Sequence, residues 1–145
     1  MSTPTQKIEI ASQLLDTALR HFFSEPPEYF ATICLAGAAE EILGKHVESK
    51  GGESSFNSMK NGALLLSQFL EGEPTTEKAI HNLMNKAKNS TKHMNGSADS
   101  TVDFDPKAEA KDLLDRAVTN YYQLMGHYEL KETDLLTRFN NERGA

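Results

Sequence analysis

Between Lys78 and Ala98 the chain places Lys78, Lys86, Lys88 and Lys92 with His81 and His93, and not one Asp or Glu falls in those 21 residues. Imidazole exchanges protons near neutral pH, ammonium groups hold negative oxygens, and the interspersed amides of Asn82 and Asn89 can position what is held. The segment therefore has the chemistry of an anion site. At about 100° per residue, Asn82, Lys86, Asn89 and His93 fall within about 60° of arc on one side of a helix. Ile80, Leu83, Met84, Ala87, Thr91 and Met94 fall on the other, with His81, Lys88 and Lys92 on a flank between. The polar stripe could simply be a wet helix face. Against that, surface helices usually mix signs to gain i,i+4 pairs, and this one forgoes them.

The rest of the chain must position that stripe. Its 145 residues suit a single domain spanning 1–145, and its net charge of −6 repels nucleic acid and anionic membranes, so any nucleic-acid contact has to be local. The lone Cys34 lies in an apolar stretch and reads as a small buried filler in a reducing compartment. "MSTPTQKIEIA" has neither the basic start nor the apolar core of a signal peptide. No apolar run approaches the roughly 20 residues that cross a bilayer, so a cytoplasmic protein is expected and the sequon at Asn89 carries no meaning.

No strand pattern emerges, while helical spacing recurs. Ile8, Ala11, Leu14, Leu15, Ala18, Leu19, Phe22 and Phe23 predict a helix over 6–23. Ser24 with two prolines reads as the start of a second helix, which runs to the loop "KGGESS". Its patch Ala36-Gly37-Ala38-Ala39 lets a neighbouring backbone come close. A third helix is expected over 54–71, stopped by Gly72 and Pro74, and a fourth over 75–95, opened by a Thr cap and stopped by Gly96. Asp105-Pro106 opens a fifth over 106–126, and the tail 131–145 adds a short extra helix. The expected fold is all-α, an up-and-down bundle of four to five helices whose successive members are antiparallel neighbours.

"KNSTKH" at 88–93 resembles the R-N-x-x-x-H signature of the HEPN superfamily, and "LAGAAEEILGKH" at 35–46 is similar to the second-helix segment of its small bacterial members. The likeness covers most of the chain, with one departure, Lys88 where the family has arginine. It implies a HEPN-like bundle, and a metal-independent endoribonuclease of toxin or defence type. In that role His93 takes the 2′-OH proton, Asn89 positions the phosphate or the imidazole, and Lys88 supplies the cation. Lysine is a point charge without arginine's bidentate grip. Lys86 shares the face of His93 whereas Lys88 lies about 140° away, so Lys86 is the better-placed cation. Lys92, Asn82 and Lys78 are further anion- or RNA-binding candidates. The resemblance also implies a homodimer in which two such helices meet across a two-fold axis and line one cleft. The pair Glu40-Glu41 reads as solvated carboxylates, or else as a partner that orders a lysine or histidine there.

No cofactor or metal is expected: His21, His46, His81, His93 and His127 never stand at i,i+3 or i,i+4, and no P-loop or nucleophile motif occurs. Three functions stay open: the ribonuclease; a catalytically weakened module that binds RNA, a nucleotide or a nucleotidyltransferase-type antitoxin; and an interaction protein whose stripe is inert.

Overall fold

The computed structural model describes residues 3–71 and 76–144. There the chain forms six helices and no strand: α1 (Lys7–Phe22), α2 (Tyr29–Ser49), α3 (Ser55–Glu71), α4 (Glu77–Lys92), α5 (Pro106–Leu124) and α6 (Asp134–Arg143). The apolar residues of α1 recur three and four apart, and Ile8, Ala11, Leu15, Ala18 and Leu19 are buried as that spacing requires. The main core joins this face to α2, α5 and α6 through Ile33, Leu43, Leu113, Leu114, Val118, Leu124, Leu136 and Phe139. α2 is the central element, packed chiefly on α5 and α1, while α3 and α4 pack on each other at its side. The strongest pairings are thus not all between successive helices. No helix of the described residues is long and apolar enough to cross a membrane.

Caps account for the helix starts. Thr76 accepts from the amide of Ala79, Asp105 from those of Lys107 and Ala108, and Thr133 from that of Leu136. Ser54 Oγ accepts from Asn57 N at the start of α3, and the buried Asn120 Oδ1 takes Ser55 N at 2.8 Å. Ser24, expected to open the second helix, instead donates to the carbonyls of His21 and Pro26, and the helix begins five residues later at Tyr29. Pro26 and Pro27 explain the delay, because each disfavours helical geometry in the residue before it. The tail forms a short extra helix of ten residues, α6, giving six helices among the described residues where four to five were expected. Gly72 and Pro74, the expected end of the third helix, lie outside the described residues.

α4 ends at Lys92, before the expected stop at Gly96. Asn89, Ser90 and Thr91 are poor helix formers, and Thr91 turns its hydroxyl back onto Ala87 O at 2.7 Å. His93 is the C-cap, with extended φ −127° and ψ 150°, and its N–H still donates to Asn89 O at 3.1 Å. Gly96 takes a positive φ of 100° in the loop beyond.

Candidate functional site

Six of the seven sequence-derived site residues are exposed: Lys78, Asn82, Lys86, Asn89, Lys92 and His93. Asn82, Lys86 and Asn89 lie on the outward side of α4, and His93 stands where the chain leaves the helix. None of Asn82, Lys86, Asn89 or Lys92 forms an ion pair or side-chain hydrogen bond with a described residue, so the stripe meets solvent directly.

Lys88 departs from that set. It is only 3% exposed, and its ammonium contacts Glu41 and stands 3.9 Å from Glu40 Oε2. Its stem crosses α2 at Gly37, where a Cβ would lie 2.6 Å from Lys88 Cδ and 2.7 Å from Cγ. At Gly37 the small-residue patch of α2 therefore admits a lysine side chain, while Ala36 and Ala39 are fully buried in the core. The Glu40-Glu41 pair is likewise not a solvated surface pair. Glu41 is exposed yet holds Lys88, and Glu40 is buried at 3% exposure.

Behind Lys88 the charges continue inward. Glu40 Oε1 lies 3.8 Å from Arg116 Nη1, and Arg116, 1% exposed, bonds Asp112 Oδ2 and Met84 O through Nη2, each at 3.2 Å. A chain of alternating charge thus runs Glu41, Lys88, Glu40, Arg116, Asp112 and ties α2, α4 and α5 together. Glu40, Lys88 and Arg116 are buried, so each is costly alone and tolerable only as part of the set. Burial pushes the Glu40 carboxyl above its ordinary 4.5, and the Arg116 and Lys88 cations only partly offset it. A carboxyl raised in the folded state contributes stability fully present below the unfolded pKa and lost as pH rises through the folded one. Wild type is therefore expected to gain stability relative to Glu40→Gln as pH falls toward 4.5, read as the difference between their urea midpoints across pH.

Glu40 and Lys88 also line a cleft of about 650 Å³, with Phe56, Asn57, His81 and Asn85. His81 is exposed and sets its ring edge-on to Phe56 at 5.1 Å between centroids. Asn85 is 7% exposed, and its buried Oδ1 has no hydrogen-bond partner; nor has Glu40 Oε2. No group of three His, Cys, Asp or Glu able to hold a metal ion occurs among the described residues.

No family model matches the chain, and neither a curated protein nor a solved structure does. The site therefore rests on its own geometry.

Sequence reasoning overlooked Arg116, Asn120 and the inward position of Glu40, though a signal existed. On the α2 wheel Glu40 falls between Ile33 and Val47, near the middle of the buried arc, where only a charge with a partner is tolerated. On α5, Asn120 falls beside Leu113 and Leu124 in the same way.

Proposed function

We propose that this protein is a HEPN-like helical module that binds the phosphates of RNA or a nucleotide on the α4 stripe, as a homodimer, without efficient cleavage. The observation that carries this is the burial of Lys88: the cation at the family's arginine position is bound to two carboxylates, while Lys86 and His93 stand free at the surface. A neutralised cation cannot stabilise charge building on phosphorus, which is commonly the largest part of such catalysis. Binding needs less, because a one-sign field on an acidic surface concentrates anions locally.

The homodimer is supported by α3. Its inward side carries Phe56, Ala63 and Leu64, yet its outward side exposes Leu65 at 69%, Leu66 at 57%, Phe69 at 85% and Leu70 at 70%. A contiguous apolar side of this size is normally covered by a partner. From Asn61 to Leu70 no residue is ionisable, so this face has no charge with which to select a charged partner. A second copy offers the same uncharged surface across a two-fold axis, and meets none of the repulsion that the net charge of −6 imposes elsewhere. At roughly 100 Å² for each of three leucines and roughly 150 Å² or more for the ring, each copy contributes roughly 450 Å² of apolar surface. With the flanking Ser58, Asn61 and Gln68, the two copies pass the roughly 1,000 Å² of a specific interface.

Ribonuclease activity is the second reading, favoured by the exposure of Lys86 and Asn89 on one side of α4 and of His93 at its C-cap. Labelled single-stranded RNA in EDTA, titrated across a salt series and followed for both binding and cleavage, separates the two. The expected result is intact RNA, affinity that falls with salt, and a slope reduced by about 0.7 in Lys86→Ala. Cleavage that disappears in His93→Ala replaces binding with catalysis. Affinity indifferent to salt, to Lys86→Ala and to His93→Ala leaves only an interaction protein.

A further inference from the structure

The cleft beside Lys88 is separate in its lining from the α4 stripe, and it is built in a way the stripe is not. Its volume of about 650 Å³ is in the range of small-molecule sites. Its lining joins two aromatic rings set nearly perpendicular at 79°, Phe56 and the exposed His81, to a buried side-chain amide, Asn85, that makes no hydrogen bond to any described residue. A buried polar group left without a partner costs about 1–3 kcal/mol and calls for a reason. In the same lining Glu40 Oε2 also lacks a hydrogen bond, with the Lys88 ammonium 3.9 Å away. Lys7 and Lys45 line the same cleft, and Lys7 pairs with no described carboxylate.

A carboxamide presents one donor and one acceptor side by side, the complement of the adjacent acceptor and donor on the edge of a nucleobase. Aromatic side chains offer stacking to any base because every base has a π-face. We infer that this cleft is a nucleobase pocket, in which Asn85 reads the edge of the base and the exposed His81 ring, braced edge-on by Phe56, covers part of its face, while Lys7 and Lys45 stand toward the phosphate. The choice of a nucleobase over another flat heterocycle rests on the nucleotide reading above.

Titration calorimetry of the full chain with AMP, GMP, CMP and UMP tests this, with ribose 5-phosphate as the base-free control. At least one nucleotide is expected to bind tenfold or more tightly than ribose 5-phosphate. Asn85→Leu, close in volume and free of the orphaned amide, is expected to fold and to abolish that preference. His81→Ala changes an exposed residue and is expected to weaken the preferred nucleotide about fivefold or more through lost stacking, which keeps the test available should Asn85→Leu not fold. The pocket is overturned if no nucleotide exceeds ribose 5-phosphate, or if the preference survives both substitutions. RNA binding that needs Lys86 while no mononucleotide is preferred sinks the pocket and spares the stripe. A base preference that needs Asn85 in a protein whose RNA affinity ignores Lys86 does the reverse.

Discussion

Glu40→Ala is expected to destabilise the protein by about 3–5 kcal/mol. The substitution leaves Arg116 at 1% exposure and Lys88 at 3% facing a small void, each stripped of a carboxylate that offset its desolvation. Arg116 retains Asp112 and the Met84 carbonyl, and Lys88 retains Glu41, so the fold has residual compensation and the loss falls short of removing every contact. Urea unfolding followed by circular dichroism measures it. Lys88→Met provides the contrast, since it removes one charge and keeps the apolar stem over Gly37. It is expected to cost less than Glu40→Ala, because only Glu40 is left short of a buried partner and its raised carboxyl can take up a proton. A loss below about 1 kcal/mol in Glu40→Ala would mean that apolar packing alone joins α2, α4 and α5. The same pair of variants bears on function: a lysine kept for stability lowers the unfolding midpoint when replaced, whereas one kept for binding lowers RNA affinity at unchanged stability.

Phe69→Asp is expected to convert a dimer into a monomer. The ring is 85% exposed in the single chain and sits with Leu65, Leu66 and Leu70 on a face without charge. A two-fold contact carries the substitution twice, so it buries two carboxylates in one apolar seam, and lost apolar contact and desolvation both turn against association. Sedimentation equilibrium is expected to give twice the 16.1 kDa chain mass for wild type and the chain mass itself for the variant. Gly62, where an added Cβ would meet nothing within 4 Å, lies on this exposed side and leaves room for close helix approach. Wild type that sediments at the single-chain mass up to high micromolar concentration rules the α3 seam out. Short distances between spin labels at Asn89, with long ones at Gln68, would move the seam from α3 to α4, the arrangement that the family resemblance implies.

Much of the architecture was legible because it is local. The caps at Thr76, Asp105 and Ser54 act on amides two or three residues away, and the faces of α1 and α5 follow from a 3.6-residue repeat. Where local reading failed, competing local chemistry won: consecutive prolines delayed α2, and Asn89-Ser90-Thr91 ended α4 early enough to leave His93 at a cap rather than in a turn of helix. The part of the stripe formed by Asn82, Lys86 and Asn89 was legible for the same reason as the faces, since these residues lie within one helix, whereas His93 lies just beyond it.

Lys88 could not be placed from the chain alone. A residue on the flank of α4 is wet or dry according to which helix lies against it, and only the approach of α2 at Gly37 encloses it. The cleft that joins Phe56, His81, Asn85 and Glu40 draws on three helices and has no counterpart in any stretch of residues. By itself, then, the sequence determined which segments are helical, where most of them start, and which sides are apolar. Tertiary structure alone decided which buried charges meet, because the attraction between Glu40, Lys88 and Arg116 depends on distance in space, and periodicity along one helix carries no information about its neighbour.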